Sequence, residues 1–266
     1  MTLDDATRES WRSFFAQDGR FEVRYDAERF RRIAAKNLRD GVLLLVVVTA
    51  FLVAAVARGR TGPIVLAALL FVVGAILGVV LLRRRLALLR PAGGQPGLLL
   101  GVSNAGLHTP LVPLVDWSEV RAVFAVDESA RTARLRTRPG LAGVAARWAT
   151  GNGGAARHLW FLLEDAPALR SRVVDRRWVR GFDTFPNVDG PAFAQYVLDL
   201  DTVLSPQDTD RITAAVLVQA QARGIHAVES VGASDFAEYA IRLSGVAVDG
   251  VVPDRPTSTT GNPFTS

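Results

Sequence analysis

Cysteine is absent from this chain of 266 residues, and its absence excludes several chemistries at once. Disulfide bonds, thiolate nucleophiles and Cys-ligated zinc or iron–sulfur sites all require that residue. The three histidines, His108, His158 and His226, stand too far apart for a metal-binding motif. The glycine-rich stretch 151–154 lacks the Lys-Ser/Thr of a phosphate-binding loop, so we interpret it as a flexible loop. We therefore expect no metal, no cofactor and no enzymatic activity.

Lysine is almost absent, since Lys36 is the only one and every other basic side chain is arginine. The chain has 31 basic and 26 acidic residues, so its net charge is only +5. Because arginine stays charged at every accessible pH, it raises the pI of the sequence to about 10.5, but this high pI does not mean that the chain is strongly cationic at pH 7. A net charge this small does not favour nucleic acid as a partner.

Charged residues are missing from two long apolar runs, 41–57 and 63–82, which are 17 and 20 residues long. A helix of roughly 20 residues crosses the hydrocarbon core of a bilayer. Leu38 and the stem of Arg39 can extend the shorter run. The runs predict a transmembrane hairpin over 41–82, and the alternative is a buried hairpin in a soluble protein. The first run starts too late for a cleaved signal peptide, which indicates a retained anchor.

Basic residues are concentrated on one side of this hairpin. The loop between the runs has Arg58 and Arg60. Ten basic residues flank the outer ends of the runs: Arg24, Arg29, Arg31, Arg32, Lys36, Arg39, Arg83, Arg84, Arg85 and Arg90. The positive-inside rule then predicts a multi-pass protein of the inner (plasma) membrane with both termini in the cytoplasm.

Small residues recur within the second run, where Gly74 and Gly78 form a Gly-x-x-x-Gly pair. Small residues allow the backbones of membrane helices to approach closely. The pair indicates either packing inside the hairpin or a homodimer face. The runs contain no ionisable residue that would mark a transport route, so we interpret the hairpin as an anchor.

The first forty residues, 1–40, are predicted to be a cytoplasmic strand-and-helix segment. Residues 21–25 alternate apolar and polar side chains, which predicts a strand. Asp26 offers an N-cap to a helix that extends through Arg39 into the first run. This helix has a narrow apolar stripe, and it either lies on anionic lipid or connects the first span to the soluble part.

The remainder is predicted to be a β domain over 91–204, a helical segment over 205–252 and a disordered tail over 253–266. Short apolar runs separated by turn residues predict strands; they cover 98–102, 106–107, 111–115, 120–126, 133–137, 158–163 and 173–179. An amphipathic pattern predicts a helix over 191–203. Ser205 and Pro206 predict the start of another helix, which ends at Gly224, and a further helix is predicted over 235–243.

The order of these parts resembles a known family. The segments that carry the resemblance are Phe21-Glu22-Val23-Arg24-Tyr25-Asp26, Gly101-Val102-Ser103-Asn104-Ala105-Gly106-Leu107, Asp116-Trp117-Ser118-Glu119-Val120-Arg121-Ala122-Val123 and Phe182-Asp183-Thr184-Phe185-Pro186. Over roughly residues 20–203 the chain is similar to the YcxB-like bacterial membrane proteins. The resemblance implies an α+β membrane protein, in which a PH-like antiparallel split barrel, capped by a C-terminal helix, follows the hairpin. It implies no catalytic residues. The insertion at 138–157 and the extension after Ser205 depart from a minimal member of that family.

Arginines form the main candidate site. Arg131, Arg134, Arg136 and Arg138 precede an insertion that carries the apolar residues Leu141, Val144 and Trp148. This combination suits an anionic membrane surface, and the alternative is a solvated strand face.

Three further side chains have structural interpretations. Trp117 is expected to pack inside the domain with its indole N–H bonded near a strand end. Glu119 and Arg121 are expected to pair on one strand face.

Three functions remain open. The chain could be a non-catalytic, membrane-anchored binding or adaptor module at the cytoplasmic face, whose partners are the bilayer and a protein segment or a second copy. It could be an accessory subunit of an envelope or transport complex that acts through the hairpin. The third alternative is a membrane-tethered enzyme whose site forms only in three dimensions.

Overall fold

A computed structural model describes residues 3–59, 61–89, 97–174, 176 and 181–245. Eight helices are described: α1 Asp5–Ala16, α2 Ala27–Ala57, α3 Thr61–Leu89, α4 Ser129–Thr137, α5 Leu141–Gly151, α6 Ala166–Ser171, α7 Pro206–Ala222 and α8 Ala233–Ser244. Nine strands are described: β1 Phe21–Arg24, β2 Leu98–Val102, β3 Gly106–His108, β4 Val115–Asp116, β5 Val120–Asp127, β6 Arg157–Leu163, β7 Asp183–Phe185, β8 Phe193–Asp199 and β9 His226–Val231.

These elements belong to two compact units. Of the described residues, the sheet unit comprises 3–26, 97–137, 155–174, 176 and 181–245, and the helical unit comprises 27–59, 61–89 and 138–154. Residues 3–26 are therefore not a separate segment, because β1 pairs antiparallel with β2, with Phe21 opposite Val102. The helix pair α2–α3 is thus inserted in the chain between two neighbouring strands of one sheet.

The sheet unit contains two open sheets. One has the order β1-β2-β3-β4 and the other β7-β8-β6-β5-β9. All pairs are antiparallel except β5–β9, which is parallel. The chain is therefore α+β, as predicted, but within the described residues the sheets do not close into a barrel.

Helix α7 lies at the centre of this unit, because it packs against α1, against β1 and β2 of one sheet and against β5 and β9 of the other. It is buried on nearly all sides between Thr209 and Ala220. The start predicted at Ser205 is confirmed, since the Ser205 side chain accepts from the Asp208 N–H at 3.1 Å. Gly224, at φ +69°, follows its C-terminal end as predicted.

Helix α8 covers the other face of the second sheet, and the helix predicted over 235–243 is confirmed. Its Phe236 packs with Phe124 of β5, their ring centroids 5.3 Å apart. Ala122, Phe124 and Val126, two residues apart along β5, belong to this core. On the opposite face, Ala125 of β5 lines a cavity of about 20 Å³ with residues of α7. Strand β5 is buried on both faces because a helix covers each.

Several sequence predictions require correction. Residues 191–203 are not the capping helix, because β8 occupies Phe193–Asp199 and pairs with both β6 and β7. The predicted strand 133–137 lies in α4, and 111–115 is a series of bends that reaches a strand only at Val115. In the predicted strand 173–179, residues 173, 174 and 176 are not in a strand, and the others lie outside the described residues. The predicted tail 253–266 also lies outside them.

Candidate membrane-facing surface

Large apolar side chains are exposed along both helices of the pair α2–α3. The large side chains exposed in α2 extend from Val42, at 46%, to Val56, at 56%, and those in α3 from Val65, at 64%, to Val80, at 43%. In water such a surface is unfavourable, since each buried Å² of apolar area contributes roughly 25 cal/mol. The surface therefore indicates an apolar partner or solvent.

One described helix is long and apolar enough to cross a membrane. It covers Glu28–Ala57, with a mean hydropathy of 2.5 in its most apolar window, of which only 17% is buried. A core helix of a soluble protein would be mostly buried. The apolar part of α3 whose side chains are described, Ile64–Val80, is shorter. Positions 63, 81 and 82 of the predicted second span lie outside the residues whose side chains are described.

Glycines of α3 face α2. A Cβ added at Gly78 would lie 2.9 Å from Leu45 Cγ, and one at Gly74 would overlap Val48 Cγ1. The two backbones therefore approach closely where these glycines lie. The glycines therefore pack inside the helix pair, which is the first of the two arrangements that their spacing allows; the other is a homodimer face.

A polar cluster joins α5 to α2 within the helical unit. Asp40 accepts from Lys36 Nζ at 2.7 Å and from Asn152 Nδ2 at 3.2 Å. Asn152 is 2% exposed and also caps α5, donating its side-chain amide to the carbonyl of Trp148 at 2.9 Å. Stretch 151–154, predicted to be a flexible loop, is thus the bonded C-terminal end of α5. A charged residue directly before run 41–57 was the only sequence signal for this cluster.

Helix α5 has one exposed apolar side and an opposite side that is partly buried. Leu141, Val144 and Trp148 are exposed, with relative accessibilities of 87%, 53% and 36%. Gly143, on the other side, is buried, and Ala146 is half-buried. The apolar residues of the predicted site are therefore present on one helix surface.

The predicted arginine cluster does not form a strand face. Arg131, Arg134 and Arg136 lie in α4, which has no buried residue, and Arg131 is bonded to Glu128 at 3.2 Å. At 3.6 residues per turn, Arg134 and Arg136 are about 200° apart around the helix. Arg138 lies beyond the end of α4, in the segment assigned to the helical unit. A membrane-binding role of these arginines stays a prediction.

Two of the segments behind the family resemblance, 101–107 and 116–123, are in contact with each other and with α7. Trp117 is 4% exposed and donates its indole N–H to the Ser103 carbonyl at 2.9 Å, as predicted. Arg223 of α7 covers the Trp117 ring at 5.2 Å and donates to the Asn104 carbonyl at 2.7 Å. Gln219, 3% exposed, donates to Asn104 Oδ1 at 3.2 Å. Sequence reasoning missed the roles of Asn104 and Gln219, which no local pattern signals.

Glu119 and Arg121 do not pair with each other. Glu119 accepts from Arg172 at 2.6 Å, and Arg121 bonds to Glu164 at 2.5 Å. Glu119 lies in a 3-10 turn, Trp117–Glu119, before β5, so the two residues do not share a strand face.

Histidines and carboxylates of the sheet unit have structural contacts. His108 Nε2 lies 3.0 Å from Ser103 Oγ, and His158 Nδ1 lies 2.8 Å from Asp199 Oδ1. His226 stacks on Tyr239, with ring centroids 4.5 Å apart. Burial lowers the pKa of His226. Within the described part of the chain, no group of three or more His, Asp or Glu side chains could hold a metal ion.

No known protein family, curated protein or solved structure matches this chain. The class of the molecule is therefore defined by its own features. It is an α+β protein with a separate helical unit, in which one helix is long and apolar enough to span a membrane.

Proposed function

We propose that this protein is a non-catalytic, membrane-anchored binding or adaptor module at the cytoplasmic face of a bacterial inner membrane. In this proposal α2 and α3 form a transmembrane hairpin with both termini in the cytoplasm. The observation that carries it is the exposed apolar surface from Val42 to Val56 and from Val65 to Val80. Lipid is the solvent in which such a surface is stable.

The sheet unit is where the proposal places binding. Its core is built around α7, which packs on both sheets, and several of its ionisable groups form ion pairs, among them Arg157 with Asp210 and Glu119 with Arg172. A PH-like relationship to the YcxB-like proteins belongs to the same proposal. In that case α7, which packs on both sheets, takes the place of the cap expected at 191–203.

The position of the insertion provides a sharp test. Tyr25 donates its N–H to the Gly97 carbonyl at 2.9 Å, so the chain ends on either side of the helix pair are adjacent. Replacing residues 27–96 with Asn-Gly therefore leaves the three-residue loop Asp26-Asn-Gly between Tyr25 and Gly97, and a loop of this length can join β1 and β2 as a hairpin. We call this protein the turn-linked variant.

Membrane fractionation compares the two proteins. We expect full-length protein to stay in the membrane pellet after an alkaline carbonate wash and the turn-linked variant to be released. A fusion to a reporter that works only in the cytoplasm, placed at the C-terminus, should be active. Full-length protein that is monodisperse without detergent and does not associate with vesicles would contradict the proposal.

The partner is tested by crosslinking in intact cells, comparing full-length protein with the turn-linked variant. An adaptor keeps its partner after the helix pair is removed, whereas an accessory subunit that acts through the hairpin loses it.

Charge reversal at Arg134 and Arg136 tests the arginine cluster, since it should weaken binding of the turn-linked variant to anionic vesicles. Unchanged binding would remove these arginines from the proposed site.

A further inference from the structure

We propose that α5 is a membrane-interface helix, and that its apolar stripe of Leu141, Val144 and Trp148 enters the lipid leaflet at the base of the hairpin. The inference rests on the proposed function, because it requires α2 and α3 to lie in the bilayer. It adds a second lipid-binding element, which recognises acyl chains through apolar side chains rather than through the arginine cluster.

The stripe is continuous and turned outward. Its three residues follow a spacing of three and four, which places them on one side of a helix. Leu141, at 87%, is the most exposed large apolar residue described in this chain. The sequence of α5 contains no acidic residue, and its only charged residue, Arg147, is next to Trp148 in the chain. This composition is typical of helices that lie in the plane of a membrane surface.

The opposite side of α5 has the reverse character. Gly143 is buried, and Ala146 and Thr150 are half-buried. A helix surrounded by water normally buries its large apolar side and exposes its small or polar side. Here Gly143, Ala146 and Thr150 are at least partly covered while the three bulky apolar residues of the stripe are exposed, so the missing cover belongs on the stripe.

The polar cluster fixes the position of the C-terminal end of α5 along α2. Asn152 bonds to Asp40, and a Cβ added at Gly151 would lie 3.1 Å from Lys36 Nζ. Asp40 is two residues, or about 3 Å of helix rise, from the exposed side chain of Val42. An apolar groove on α2 begins even earlier, at Leu38. The C-terminal end of α5 therefore lies at the level where the lipid-facing surface starts.

This position favours lipid over other occupants. A second copy or a protein partner could also cover the stripe, but neither explains why its C-terminal residue Trp148, which is bonded to Asn152, lies near the level where the apolar surface of α2 starts. Tryptophan is enriched at the headgroup level of membranes, where its ring is apolar and its N–H is hydrated. The depth of Trp148 matches that preference.

The absence of cysteine makes the test direct, because any introduced cysteine is the sole labelling site. Spin labels are attached singly to Leu141→Cys, Val144→Cys and Trp148→Cys in the full chain, reconstituted in liposomes that contain anionic lipid. Two exposed valines serve as matched controls: Val47 of α2, at 54%, reports on the hairpin, and Val188 of the sheet unit, at 65%, reports on water. Oxygen concentrates in lipid and a neutral nickel complex in water, so their collision rates with each label distinguish the two environments.

We expect labels at 141, 144 and 148 to collide more with oxygen than with nickel, as at Val47, and the reverse at Val188. Nickel-accessible labels on α5 with an oxygen-accessible Val47 would overturn this inference and leave the hairpin intact. Low accessibility to both reagents on α5 would show that protein covers the stripe, and would also overturn it. A nickel-accessible Val47 would refute the proposed anchor and this inference together.

Discussion

Asn104 connects three parts of the sheet unit through one amide group. Its Nδ2 donates to the Phe15 carbonyl at 2.7 Å and to Asp18 Oδ1 at 3.3 Å, and its Oδ1 accepts from Gln219. The turn after α1, the β2–β3 turn and α7 are thereby held in register. The residue adopts this role because a short amide can serve as donor and acceptor at once.

Asn104→Ala should therefore destabilise the fold. It leaves the side-chain N–H of the buried Gln219 without the acceptor it has in Asn104 Oδ1, at a cost of about 1–3 kcal/mol. Urea unfolding of the turn-linked variant, followed by circular dichroism, measures the loss. Asn187→Ala is the matched control, since the described bonds of the Asn187 side chain stay within its own turn, to the Pro191 carbonyl and from the Asp189 N–H. Equal stabilities of the two variants would contradict this role of Asn104.

His158 gives the sheet unit a pH-dependent contact. Burial alone would lower its pKa, but the hydrogen bond to Asp199 and the negative charges of Asp199, Asp201 and Glu128 outweigh burial and raise the pKa above 6.5. Because the folded-state pKa is the higher one, the stabilisation is fully present below the unfolded pKa. It is lost as the pH rises through the folded pKa.

Asp199→Asn should therefore lower the melting temperature more at about pH 5.5 than at about pH 8.5, on either side of the ordinary histidine pKa. The effect is modest because Asp199 is 55% exposed and its charge is screened by water. Asp189→Asn, at an exposed turn, is the control. A larger effect at the alkaline pH would show that the sign is wrong.

Among the helices, α2 and α3 depend on small side chains at their contact. Gly74→Leu with Gly78→Leu would force branched side chains against Val48 and Leu45, and overpacking costs about 1–3 kcal/mol. We expect a lower melting temperature in detergent and an unchanged oligomeric state. Val73→Leu, at a residue that is 49% exposed, adds volume away from α2 and should have little effect. If the glycine variant instead lost a dimer while keeping its melting temperature, the glycines would form a subunit interface.

Strand β8 and helix α4 show why local patterns misled the prediction of elements. Residues 193–199 satisfy both periods, since Phe193, Tyr196 and Val197 fit a helix face, while Ala194, Tyr196 and Leu198 alternate as in a strand. Pairing with β6 and β7 decides between them. Residues 133–137 alternate strictly, yet both sides of β5 are already occupied by β6 and β9. Residues 133–137 therefore cannot pair with β5 as a neighbouring strand, and they form a helix.

Considered as a whole, the protein forms its sheet unit from chain on both sides of the helix pair. Phe15, 3% exposed, and Val23, 4% exposed, belong to its core although they precede α2. Removing residues 1–26 deletes β1 and both side chains. We expect the truncated protein, in membranes, to become sensitive to proteolysis at temperatures where the full chain resists.

A protein lacking residues 253–266 is the control for this truncation. The composition of that segment, rich in Pro, Thr and Ser, predicts a tail that makes no contact with the core. The control protein should resist proteolysis as the full chain does. Equal resistance of the protein that lacks residues 1–26 would show that β1 is dispensable.

Local chemistry was enough to predict the apolar runs, the cap at Ser205 and the strands at 98–102 and 120–126. Each of these predictions depends on residues that are adjacent in sequence. These are an uninterrupted apolar run, an N-cap followed by proline, and a short apolar segment between turns. The joining of β1 to β2, the central position of α7 and the bond from Asn152 to Asp40 could not be predicted in this way. They connect residues that are distant in the chain, and which partner wins depends on how the whole chain packs.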